Sequence, residues 1–169
     1  FAARHALRGA RDWVQGATDA VRDAVLALRL DDGLLRDARD QARCIDEALG
    51  ELYRLIHATR AFEVKRARRF RSGELPEWVL RHGGVLHSSA SELQKTFAVL
   101  REAVLQRAPI EGSLATQVLS ALGFFAAKLD NLVETWHLVL AEDVEGEAPV
   151  ARWIELHDST SSSSDYLVC

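Results

Sequence analysis

The sequence predicts a mainly α-helical fold: an antiparallel four-helix bundle with a short helix in its second crossover and a small C-terminal β-hairpin. Three observations predict it. Apolar residues recur at alternating spacings of three and four along four long segments, the period of helices that bury one face. Most of the connections between these segments are short, which makes sequential helices antiparallel neighbours. After residue 148 the period changes, and two short segments rich in β-branched and aromatic residues flank a run of serines. The chain therefore divides into a helical bundle over 1–148 and a returning strand pair over 149–169.

Composition bounds the reading. The 169 residues are 48% hydrophobic and carry a formal net charge of −4, ordinary for one globular domain with a sizeable core. Neither a disordered chain nor a general polyanion binder fits. No methionine is present and the chain begins Phe1-Ala2-Ala3-Arg4, which reads as a piece of a longer protein. Cys44 and Cys169 form no pair or cluster at a recognisable spacing, and a reducing, cytoplasmic setting follows. The longest uncharged run, Gly112 to Ala127, is 16 residues, short of the roughly 20 that span a bilayer. No membrane partner is expected, and the start lacks the layout of a signal peptide.

The first helix is predicted over Leu7 to Leu30, with Val14, Ala17, Val21, Ala24 and Leu28 inward and Gly9 and Gly16 weakening its start. Asp31-Asp32-Gly33 breaks it, the glycine supplying the positive φ that ends helices. The second helix starts near Leu34 and follows a heptad seam through Ala38, Ala42, Ile45, Leu49, Leu52 and Ile56. Cys44 lies beside that seam and reads as a small packed or half-buried residue rather than a nucleophile, since no lysine, histidine or helix start nearby would activate its thiol. The helix reaches at least Arg60. Beyond it, 61–71 forms a basic elbow, read either as the last two turns of the same helix, ending near Ser72-Gly73, or as the start of a loop.

Leu75 to His82 reads as a short helix with Pro76 in its first turn, where the missing N–H costs nothing, and with Gly83-Gly84 as its stop. A third long helix begins at Ser89, where Ser89 and Glu92 match a capping box. Its seam is Ala90, Leu93, Phe97, Leu100 and Val104, and Pro109 marks its end. The fourth helix is predicted over Ser113 to Glu142 with Leu114, Val118, Ala121, Phe125, Leu129, Leu132, Trp136 and Val139 inward. It is the most apolar segment and should be the most buried. An acidic loop, Glu142 to Glu147, precedes the two predicted strands, Val150–His157 and Asp165–Cys169.

Catalytic constellations are missing. Glu134 and His137 have the spacing of a di-iron half-site, but such a site needs a second E-x-x-H and two more inward glutamates. A surface glutamate and histidine flanking a buried Trp136 explain the pair. His5, His57, His82, His87 and His157 lack partners at zinc spacing, so no metal and no cofactor is expected in this chain. The serines beside His87 are read as helix capping, and no phosphate-binding glycine loop occurs.

Charge singles out one place. From Arg60 to Arg81 there are seven basic residues against three acidic ones, a local net of +4, which leaves −8 for the rest. Arg60, Lys65, Arg66, Arg68, Arg69 and Arg71 can neutralise phosphates, and Phe62, Phe70 and Trp78 offer faces for unpaired bases. That mixture suits single-stranded DNA. A solvated helix end with the aromatics as core is the other reading, since cations also favour a helix C-terminus.

In the order of its parts the chain resembles the helical insertion, the arch domain, of the DinG/XPD-type DNA helicases. The resemblance rests on Phe1-Ala2-Ala3-Arg4-His5, which looks like the exit from a helicase core motif, and on the long helices that follow. It rests also on Arg152-Trp153-Ile154-Glu155-Leu156 and Asp165-Tyr166-Leu167-Val168-Cys169, which look like re-entry into a motor domain. It implies an accessory domain that closes over the channel of a translocating strand in an ATP-dependent enzyme of DNA repair. ATP, Mg²⁺ and an iron–sulfur cluster would then belong to the parent outside this segment, and the partners would be single-stranded DNA, the rest of the parent and a regulatory protein. The chain by itself would not be an enzyme. The alternative, from a different class, is a helical protein–protein interaction module using the Trp78 region and the acidic loop, without nucleic-acid contact.

Overall fold

The computed structural model describes residues 5–59, 67–71, 73–107, 112–146, 149–158 and 164–169. In chain order the elements are β1 (His5–Ala6), α1 (Leu7–Leu28), α2 (Gly33–Ala58), β2 (Ala67–Phe70), α3 (Glu77–Arg107), α4 (Gly112–Leu140), β3 (Arg152–Asp158) and β4 (Ser164–Val168). Each helix packs along its neighbour in sequence, and α1 closes the ring through a shorter seam with α4. The four-helix bundle follows as expected from the seams.

Those seams locate the core. Every expected inward residue of α1 and α2 is buried, as are Ala90, Leu93, Phe97, Leu100 and Val104 of α3. Trp136 and a run of leucines and isoleucines, among them Ile45, Leu49, Leu93 and Leu129, are almost wholly withdrawn from water, each worth roughly 1.5–3 kcal/mol of transfer free energy.

Four expectations are corrected. The first concerns α3, which runs unbroken through Gly83-Gly84 and replaces the expected short helix and later start. Gly83 packs against α4 so closely that a Cβ built there would lie 2.5 Å from Cζ3 of Trp136. The glycine serves close helix approach and does not stop the helix. Ser89 is consequently a buried mid-helix residue, and Ser91 donates its hydroxyl to the carbonyl of His87 at 2.8 Å. Pro76 does stand at the helix start: its carbonyl accepts from Val79 N at 2.8 Å and Leu80 N at 3.2 Å.

The second correction is at the end of α1. The residue with positive φ is Arg29, at 50°, not Gly33. Leu30 N donates to Val25 O at 3.0 Å, closing the helix in the six-to-one manner of a Schellman turn. Gly33 instead opens α2, its N–H donating to Asp31 Oδ2 at 3.2 Å.

Third, the basic elbow is neither helix nor loop where it is described. Ala67–Phe70 is a strand, followed by a turn in which Gly73 takes φ 78°. Residues 60–66 and Ser72 lie outside the described residues.

Fourth, α4 is not the most buried helix. Its inward stripe runs through Ala115, Leu122, Leu129, Leu132, Trp136 and Val139, while Ala121 is exposed and Val118 and Phe125 are half-buried. The side chain of Leu114 lies outside the described set. Phe124 is 59% exposed, whereas α1 buries ten of its 22 residues.

The strand pair β3–β4 forms as expected and is widened on both sides into an antiparallel sheet of order β1-β4-β3-β2. His5 faces Val168 and Ala6 faces Leu167 across one ladder, and Arg68 faces Ile154 across another. The sheet thus takes strands from both sides of residue 148. Cys169 extends β4, exchanging backbone hydrogen bonds of 3.0 Å with Trp153. The residues between Asp158 and Ser164, most of the serine run, lie outside the described set.

Candidate nucleic-acid interface

The basic strand β2 is an edge of the sheet, held on one side only by β3. Such an edge is commonly protected by charge, and Arg68 and Arg69, with Arg71 just beyond the strand, are all exposed. Among the described residues none of the three enters an ion pair. The Arg68 guanidinium lies over the Phe70 ring, 5.0 Å from its centroid. After the strand, Glu74 accepts from the backbone N–H of Arg71 at 3.0 Å and fixes the turn.

Of the residues singled out by sequence, the structure brings Arg68, Arg69, Phe70 and Arg71 together. Arg60, Phe62, Lys65 and Arg66 fall outside the described residues. Phe70 is 8% exposed and belongs to the core, so its ring offers no face for stacking. Trp78 is half-buried and packs against the same core.

One aromatic missed by sequence reasoning stands closer. Trp153 is the cross-strand partner of Arg69, and directly opposed residues share a face of the sheet. It is half-buried on the face opposite to buried Ile154. The alternation of Arg152, Trp153 and Ile154 carries that signal, since neighbouring strand residues point to opposite faces.

Arg152 fixes the sheet to the bundle. It is 2% exposed. Its guanidinium donates to Asp143 Oδ1 at 2.9 Å, to Leu138 O at 3.2 Å, to Val150 O at 3.2 Å and to Ala141 O. Two of these carbonyls belong to the end of α4, where a cation also meets the negative pole of the helix. The pair is therefore a charged C-cap delivered by the strand that carries β2.

A second polar cluster joins α1, α2 and β4. Asp165 accepts from the backbone N–H of Arg8 at 2.9 Å, of Gly9 at 3.0 Å and of Tyr166 at 2.7 Å. It is the N-cap that the start of α1 lacks locally, supplied from the far end of the chain. Tyr166 stands 3.1 Å from His57 Nδ1, with Tyr53 tilted against its ring at 5.3 Å. Burial pushes the Tyr166 phenol above its ordinary value, and Tyr53 adds to the shift.

Glu134 and His137 are both exposed beside buried Trp136, as expected from the sequence. His137 lies near His87, ring centroids 6.0 Å apart, and among the described residues no three metal-ligating side chains cluster. Cys44 is half-buried and unbridged. No described helix is long and apolar enough to cross a membrane.

No family model matches the chain. It is similar to the ATP-dependent DNA helicase DinG of Photobacterium profundum, 24% identical over 183 aligned positions, with 98% of this chain covered. The chain spans 26% of the length of that helicase. The likeness extends over nearly every element described above.

Proposed function

We propose that the chain is an accessory helical domain of an ATP-dependent DNA helicase, an arch-like insertion that guides single-stranded DNA while a motor beyond these residues hydrolyses ATP. The observation that carries this reading is the similarity of 98% of the chain to about a quarter of a DNA helicase. One feature of the fold supports it. The exposed arginines of β2, with Trp153 opposite Arg69, supply phosphate neutralisation and a partial stacking face on an otherwise acidic domain. ATP, Mg²⁺ and an iron–sulfur cluster belong, on this reading, to the parent.

The test is binding of a labelled single-stranded oligonucleotide with Lys65, Arg66, Arg68 and Arg69 reversed to glutamate. Affinity should fall, and the slope of log K against log salt should flatten by about 0.7 for each phosphate no longer neutralised. Unchanged affinity with a salt slope near zero removes DNA from the reading and favours a protein partner for the same face.

A further inference from the structure

The α1–α4 seam is the loosest of the bundle, and its sequence explains why. Ala6, Gly9 and Ala10 on one side and Ala127 on the other are too small to fill the space between the helices. They floor an open groove of about 560 Å³ whose walls are Trp13 and Phe124.

Phe124 is held outward by its neighbour. Phe125 turns inward to the place where Gly16 has no side chain, since a Cβ there would lie 2.9 Å from its Cζ. The two phenyl rings meet edge to face at 5.0 Å. The Lys128 ammonium stands 5.0 Å from the Phe124 centroid and 6.0 Å from that of Trp13. Asn131 completes the lining, which among the described residues contains no carboxylate.

Two aromatic walls, an apolar floor, one cation and one amide define the complement: a planar aromatic group that carries negative charge. An aliphatic side chain would use the floor but gain nothing from the cation. We propose that this groove takes an unpaired nucleotide of single-stranded DNA, its base stacked against Phe124 and Trp13 and its phosphate at Lys128. The inference rests on the DNA reading of the chain but concerns a separate site. The groove adjoins β1, at the opposite edge of the sheet from β2.

Titration of the full chain with hexathymidylate, followed by backbone amide resonances, tests it. Amides of Gly9, Ala10, Ala127 and Lys128 shift and saturate in the wild type. Phe124→Ala, at an exposed position that leaves the core intact, weakens that binding about 5- to 150-fold, the range of one stacked base. Lys128→Gln weakens it and lessens its salt dependence. An abasic hexamer of the same charge leaves the groove amides in place. Silent groove amides, equal shifts with the abasic strand, or undiminished binding by Phe124→Ala would each overturn the inference. Amides of Ala67–Phe70 report on the basic strand separately. If they alone respond, the groove is refuted and the guiding role of β2 stands; if only the groove responds, the groove stands and the role of β2 fails.

Discussion

Gly83 and Gly84 are adjacent in sequence and should respond to the same substitution in opposite directions. Both lie inside α3, where alanine in place of glycine is worth about 1 kcal/mol through backbone entropy alone. At Gly84 nothing lies within 4 Å of an added Cβ, so Gly84→Ala should keep most of that gain. At Gly83 the added atom meets Trp136 Cζ3 at 2.5 Å, Cε3 at 2.6 Å and Leu140 Cδ2 at 3.4 Å. Trp136 is 1% exposed and fills the core, so the ring has nowhere to retreat and α3 must move away from α4. Overpacking of this kind costs roughly 1–3 kcal/mol, sometimes more. Net of the helix gain, Gly83→Ala should lose about 1 kcal/mol. At roughly 2–4 °C per kcal/mol for a domain of this size, Tm should fall by about 2–4 °C for Gly83→Ala and rise by about 1–4 °C for Gly84→Ala. Thermal unfolding followed by far-ultraviolet circular dichroism reads both. Equal shifts of the same sign would refute the reasoning, because they would mean that neither glycine is at a close helix contact.

Three further outcomes follow from the polar joints. Arg152→Ala removes the donor that Asp143 and the last carbonyls of α4 share; losing hydrogen bonds to a charged group costs about 1.5–3 kcal/mol, measurable by urea denaturation, and Arg152→Lys should restore only part of it because one ammonium cannot reach all four acceptors. Asp165→Ala uncaps α1 and should cost about 1–2 kcal/mol, with faster amide exchange confined first to Arg8 and Gly9; uniform exchange across the bundle would count against the cap. Tyr166 sets an alkaline limit. Its phenol binds its proton more tightly in the folded state, so stability is intact below the free-phenol value near 10 and falls as pH rises past it toward the folded value. Tyr166→Phe should remove that part of the decline in alkaline unfolding curves.

What is legible in the sequence is what local spacing decides. A helix with one buried face writes its period into the chain, so the seams of α1, α2 and the second half of α3 can be read directly. The strand pair is legible for the same reason, from Ile154, Leu156, Tyr166 and Val168. What escapes depends on partners distant in sequence. Gly83-Gly84 looks like a stop until Trp136 is placed against it. Ala67-Arg68-Arg69-Phe70 shows no apolar alternation, because an edge strand needs only its backbone to pair with β3. Composition points to Gly33 for the turn after α1, yet Arg29 accepts a positive φ because the following Leu30 closes the turn and packs on the core. At the candidate interface the arginines are legible as charge. The aromatic beside them is not, since Phe70 and Trp78 are near in sequence while Trp153 is near only in the sheet.

The cap that Asp165 places on α1 also orders events in time. Its hydrogen bonds reach back 157 and 156 positions to Arg8 and Gly9, so during synthesis from the N-terminus the helix emerges long before its cap exists. The bundle can assemble from sequential neighbours, whose contacts are local and form early. The first turn of α1 must wait for Asp165 to leave the ribosome. Emergence of β4, sheet closure and the locking of that turn are therefore a single late step, and a nascent chain stalled before Asp165 should hold a formed bundle with a frayed beginning.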